Sequence, residues 1–145
     1  MTGQPHRFTE LMRVYEANFY LLRALIPDLG PAHQVARAPL DDLPALHLRV
    51  AERHRYTTIM HLTHYFRDGC RHLAAPDVSI RMYHDARLAE ARSLRQSVPV
   101  VPPYKKWTHN RFLQKWLSYC LDQGYRFADA HTLMPWEVSG EVASP

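Results

Sequence analysis

Residue types that bind anions, move protons or hold metals are spread along this 145-residue chain, but few stand at spacings that make a reaction. The densest set runs from Ser79 to Ala91. Read as a tight β-hairpin turning at Asp85-Ala86, this segment puts Ile80 opposite Ala91 and Met82 opposite Ala89 on an apolar face. Arg81 then stands opposite Glu90 on the other face, with Tyr83 beside them. Cross-strand neighbours on one face lie close enough to interact. An arginine and a tyrosine so placed can grip a phosphate, a carboxylate or an aromatic ring. They also serve simply to solvate the outer side of a sheet, with Arg81 and Glu90 as an ion pair of little energetic weight.

The remaining spacings are weaker. His84-Asp85 has the composition of an acid–base pair, but in a two-residue turn Asp85 more naturally bonds the turn backbone. His61-x-x-His64 resembles a metal pair, yet residues three apart on a strand point to opposite faces. Neither a cysteine nor a carboxylate completes a zinc set, and ten histidines make chance spacings common. With five glycines there is no phosphate-binding loop, and serine nucleophile elbows and kinase signatures are absent. The basic cluster from Tyr104 to Arg111 combines Lys105, Lys106 and Arg111 with Trp107, a combination that can touch a polyanion. Its place at the entry of a helix fits a solvated helix start, and Trp107, Trp116 and Trp136 read as packing residues. No catalytic residue, metal or cofactor is expected.

Three groups of elements must position these residues. A helix is expected from Thr9, as N-cap, to Ile26. Its apolar stripe is Leu11, Val14, Tyr15, Phe19, Leu22, Leu25 and Ile26, and Pro27 ends it. An irregular connection with an Asp41-Asp42 pair follows, holding one short strand around Gln34 to Ala38. Leu46, Leu48 and Val50 then alternate with polar residues, as do Thr58, Met60, Leu62, His64 and Phe66, which marks half-buried strands. Matching Val50 with Met60 and Leu48 with Leu62 asks for an odd-numbered loop, His54-Arg55-Tyr56. A one-residue slip would set Leu48 against His61. A loop from Arg67 to Asp77 is expected before the hairpin. Val98 to Pro103 reads as extended, because its prolines exclude a helix or central strand. A second helix, about Thr108 to Gln123, carries Phe112, Leu113, Trp116, Leu117, Cys120 and Leu121 on one side, with Gly124 as its C-terminal cap. The fold expected is α+β: about four antiparallel strands with an N-terminal and a C-terminal helix packed on one face. Residues 1–138 would form one globular domain and 139–145 a disordered tail. The other sheet face would carry Arg49, His61, Thr63, Tyr65, Ser79, Arg81, Tyr83, Glu90 and Arg92.

Composition narrows the class. The chain is 46% apolar and 22% charged, with a net charge of +4, a mild and scattered excess that solubility alone explains. Nucleic acid is therefore not singled out. Two cysteines make no disulfide framework. Cys120 reads as a buried thiol, and Cys70 falls in a loop. Residues Met1 to Phe8 carry no apolar signal run, and nothing approaches the roughly 20 apolar residues of a membrane span. A cytoplasmic protein without a membrane segment is expected.

Three motifs carry a resemblance. They are Arg55-Tyr56-Thr57-Thr58, then Tyr83-His84-Asp85-Ala86 with Ala89-Glu90, then Asn110-x-Phe112-Leu113-x-x-Trp116-Leu117-x-Tyr119-Cys120-Leu121-x-x-Gly124. With Glu16-x-Asn18-Phe19 and Leu22, they resemble the YqiB-like family of small bacterial proteins, classed as a domain of unknown function. The resemblance runs in order from about Phe8 to Gly124. It implies no reaction, cofactor or partner. It brings only an association, since family members are encoded near nucleotide-handling enzymes. The expectation is a non-enzymatic binding or adaptor domain for a small anionic ligand or a protein partner. Its ligand-binding residues would be Arg55, Tyr56, Arg81, Tyr83, His84, Asp85, Glu90 and Asn110, which a meander can bring towards one rim. The alternatives are an enzyme on nucleotide-like substrates, with His84 and Asp85 as acid and base, and a homodimeric interaction subunit paired through an exposed strand edge.

Overall fold

A computed structural model describes residues 3–39, 43–68, 71–95 and 106–127. Asp41 and Asp42, Cys70, Val98 to Pro103, Tyr104, Lys105, Trp136 and the tail from Ser139 lie outside them.

The alternating segments build a five-stranded antiparallel meander in the order β1 (His33–Ala36), β2 (Ala45–Arg53), β3 (Thr57–Asp68), β4 (Arg71–Tyr83) and β5 (Leu88–Arg95). The fifth strand is the short one expected near Gln34. Register follows the apolar pattern: Leu48 pairs with Leu62 and Val50 with Met60. A bulge between Val50 and Glu52 absorbs the odd residue, so that His54 N–H can bond Thr57 O (2.8 Å) across the turn. In the last hairpin Ile80 pairs with Ala91, Arg81 with Glu90 and Met82 with Ala89, as expected. The turn, however, is four residues, His84 to Arg87, with Arg87 at φ 58° in the left-handed region.

The expected loop from Arg67 to Asp77 is instead a long hairpin, in which Arg67 pairs with His72 and Asp68 with Arg71. Its sequence lacks alternation and contains Pro76, which hides the strand. The register shift between Thr63 and Tyr65 falls opposite that proline, where the ladder does not need its missing N–H.

Helix α1 (Gly3–Leu25) begins earlier than the expected start, so Thr9 lies inside it rather than at its N-terminus. Pro5 is tolerated because the first-turn N–H groups have no intrahelical partner. Helix α2 (Lys106–Asp122) ends on Gly124, whose φ is 92°. Tyr125 N–H bonds Cys120 O (3.0 Å) and Gly124 N–H bonds Leu121 O (3.1 Å), the Schellman arrangement. A Cβ at Gly124 would meet Pro39 Cδ at 2.7 Å, so space as well as φ selects glycine. The chain then returns to α1, with Phe127 N–H on Leu25 O (2.9 Å).

Both helices cover one sheet face and lie nearest β5. Between them and the sheet sit Phe19, Leu22, Leu46, Leu48, Met60, Leu62, Ile80, Met82, Leu113 and Leu117, all buried. No described helix is long and apolar enough to cross a membrane.

Candidate functional site

Alternation sends Arg81, Tyr83 and Glu90 to the face opposite the helices, because Ile80, Met82, Ala89 and Ala91 fill the core. Register lines up side chains across strands about 4.8 Å apart. One row is Glu52, Ile59, Arg81 and Glu90, and the next holds Arg49, His61 and Ser79. Arg81 therefore stands between an apolar neighbour, Ile59, and Glu90.

Arg81 does not bond Glu90 directly. The Tyr83 hydroxyl stands between them, accepting from Arg81 Nη1 (3.3 Å) and donating to Glu90 Oε1 (2.7 Å). A second phenol, Tyr15 of α1, stands beside Glu90. Burial first, then the charge of Glu90, pushes Tyr15 up to about 12. The Tyr83 contact raises the Arg81 pKa against the opposing effect of burial, with Glu90 and Glu52 adding to it. Glu52 is held below its usual range mainly by a 2.9 Å bond from His54 Nε2. The result is a chain of polar side chains, Arg81–Tyr83–Glu90–Tyr15, running from the sheet face to α1. Among the described residues, the other guanidinium N–H groups of Arg81 make no hydrogen bond.

The two hairpin ends meet beside this chain. His84 N–H bonds Tyr56 O (2.9 Å), and Tyr83 pairs with Thr57. Arg55 and Tyr56 are exposed, with the guanidinium 5.2 Å from the ring centroid. His84 and Asp85 do not pair with each other. His84 Nε2 bonds Thr58 Oγ1 (2.7 Å) towards the helix side, and Asp85 Oδ1 accepts Ala86 N–H (2.9 Å). Arg55, Tyr56, Tyr83, His84 and Asp85 thus share one rim, with Arg81 and Glu90 next to it.

Asn110 lies elsewhere, fully buried under α1. Its Oδ1 accepts Ala91 N–H (2.7 Å), its Nδ2 donates to Lys106 O (2.9 Å), and its carbonyl accepts Asn18 Nδ2 (3.3 Å). It fastens the outer edge of β5 to both helices, which covers that strand edge.

Sequence reasoning missed Tyr15, Glu52 and His54. Tyr15 sits in an apolar stripe, where only its hydroxyl hinted at a second role. Glu52 joins the outer row only because the bulge at Ala51 shifts its register.

The two spaced histidines separate as expected. His61 faces outwards, while His64 is 3% exposed in the core. Trp116 Nε1–H donates to His64 Nδ1 (3.1 Å), so the ring proton sits on Nε2, 4.0 Å from Cys120 Sγ. Burial pushes His64 down to about 4 and the Cys120 thiol up to about 12, so both are neutral near pH 7. No cluster fit to hold a metal occurs among the described residues.

Fold and site together define a small α+β protein: two helices seal one face and one edge of a five-stranded meander, and an arginine–tyrosine rim marks the other face. A family model described as "Protein of unknown function (DUF1249)" matches residues 21–126, from α1 to just past α2. The chain belongs to this family. "Uncharacterized protein YqiB" of Escherichia coli strain K12 is 32% identical, over 81% of this chain and 90% of the relative. The proteins of that name from the O6:H1 and O157:H7 strains match to the same extent. No solved structure matches significantly.

Proposed function

We propose that this chain is a cytoplasmic, non-enzymatic binding or adaptor domain whose outer sheet face docks an acidic segment of a protein partner at Arg81. The observation that carries this reading is the bridging hydroxyl of Tyr83. It steadies the Arg81 guanidinium while it engages Glu90, with Tyr15 close by, and the remaining donors of Arg81 are left for a carboxylate or phosphate. Arg55 and Tyr56 at the adjoining rim are of the types that dominate protein interfaces. A sheet face suits an extended segment better than a small molecule, whose sites are concave. His84 and Asp85 point to different partners, which favours binding over acid–base chemistry.

The test is pull-down from the native cell with wild type, Arg81→Ala and Tyr83→Phe, each first matched for thermal stability. A partner held by wild type and lost from Arg81→Ala supports the reading; equal capture by all three removes the site. The small-ligand form is tested by thermal shift with inorganic phosphate, citrate and nucleotides. A ligand present at 100 times its Kd adds about 2.7 kcal/mol, visible as several degrees.

A further inference from the structure

Helix α2 turns a second kind of surface to solvent. Its buried positions, His109, Asn110, Leu113, Trp116, Leu117 and Cys120, recur every three or four residues. That period leaves Trp107, Arg111, Lys115 and Tyr119 outside the core. These four follow one another in steps of four and form a ridge about 18 Å long at 1.5 Å per residue. Trp107, expected as a packing residue, is 44% exposed, and Tyr119 at the other end is 43% exposed. The Arg111 guanidinium lies 6.0 Å from the Trp107 ring centroid, and its Nη1 donates to Gln114 Oε1 (2.6 Å), so it is held on the ridge. A shallow hollow of about 360 Å³ has Arg111, Gln114, Lys115, Ser118 and Tyr119 in its lining. Along its length α2 carries Lys106, Arg111 and Lys115 against a single acid, Asp122, at its last residue.

We propose that this ridge binds single-stranded nucleic acid, with bases stacked on Trp107 and Tyr119 and phosphates held between them by Arg111 and Lys115. Charge and shape point to that ligand independently. The excess of cations selects a polyanion, and the exposed rings select one with flat faces to stack. An acidic peptide would satisfy the cations and leave the rings in water. A duplex would offer phosphates but keep its bases stacked inside. Each step of four residues rises about 6 Å, close to the repeat of a stretched single strand, so one strand of about four nucleotides meets ring, cation, cation and ring in turn. Binding of this kind tolerates any base sequence, because every base has a π-face. The ridge lies on the helix side of the molecule, away from the sheet face of Arg81, and the inference does not rest on the binding reading of that residue.

Fluorescence anisotropy of labelled oligo-uridylate and oligo-thymidylate, titrated with the full chain at low salt, tests it. Wild type should bind both with a Kd of about 10⁻⁶ to 10⁻⁴ M, the range of sequence-independent contact. Trp107→Ala should weaken binding about fivefold or more, the loss expected for one stacked base. Lys115→Ala should reduce the slope of log K against log salt by about 0.7. Both side chains are exposed, so neither variant should change thermal stability. Arg81→Ala should bind as wild type does. No binding by wild type at near-millimolar protein overturns the proposal. So does Trp107→Ala binding equal to wild type, or equal affinity for a duplex or for poly-glutamate. Loss of binding from Arg81→Ala with none from Trp107→Ala would place the strand on the sheet face and overturn this inference alone.

Discussion

Replacing Asn110 with alanine removes the amide that joins three elements. The Ala91 N–H then loses its 2.7 Å acceptor in a buried site. An orphaned buried donor costs about 1–3 kcal/mol. Loss of the bond to Lys106 O adds about 1 kcal/mol, because an intramolecular hydrogen bond is worth that much net. The total is about 2–4 kcal/mol, with the lower end reached if water enters the vacated space. Asn110→Asp keeps the acceptor for Ala91 but sets an oxygen against Lys106 O and buries a charge in a fully enclosed site. It should therefore destabilise at least as much as alanine at neutral pH. Urea unfolding followed by tryptophan fluorescence, checked by a second probe for two-state behaviour, measures both. At about 2–4 °C per kcal/mol for a chain of this size, alanine should lower Tm by about 4–16 °C. An alanine variant within half a kcal/mol of wild type would refute the clamp. If that variant also lost a partner, Asn110 would belong to the binding surface after all.

Further outcomes follow from the same contacts. His64 ionises at about 4 when folded and near 6.5 when free, so the unfolded chain takes up its proton first as pH falls. Stability from this group is complete above pH 6.5 and declines by about 3 kcal/mol towards pH 4, at 1.36 kcal/mol per unit. In a comparison of denaturant midpoints across that range, His64→Gln should lack this part of the slope. Gly124→Ala should cost about 1–2 kcal/mol for the left-handed backbone alone. The 2.7 Å approach to Pro39 adds to that, so a Tm equal to wild type would contradict the cap. Tyr15→Phe removes the phenol beside Glu90. Ultraviolet titration should show one fewer tyrosine ionising near pH 12.

The sheet was legible because its apolar residues alternate strictly where one face is core. Leu48 opposite Leu62 and Met82 opposite Ala89 could be paired from that pattern alone. Legibility stopped where the period broke. The bulge at Ala51 shifts register without any local residue that demands it, and Pro76 reads as a strand breaker although a bulge accommodates it, so Glu52 and the long β3–β4 hairpin were hidden. The first turns of α1 escaped because Thr9 offered a plausible cap and the earlier residues carry no apolar repeat. Within the candidate site, the pairing of Arg81 with Glu90 and the place of Tyr83 beside them were readable, but the bridging by the Tyr83 hydroxyl and the approach of Tyr15 were not. A hydroxyl's partner depends on the packing of α1 against β5, which no spacing within either segment encodes. Asn110 was marked by its surroundings in sequence, while its burial depends on contacts with Ala91 and Asn18, far away along the chain.

The closure between Leu25 and Phe127 has a consequence for synthesis on the ribosome. Each hairpin of the meander needs only its neighbour, so β1 to β5 can pair as they emerge. The helices cannot share that order. α1 is made first but finds its partners in β5 and α2, which are made last. Until then the Leu46–Leu62–Ile80 face of the sheet and the stripe of α1 are both uncovered, the kind of transient species that aggregates or is held by a chaperone. The nascent chain should therefore resist protease in one late step, after residue 127 has left the exit tunnel, rather than gradually as each strand is added.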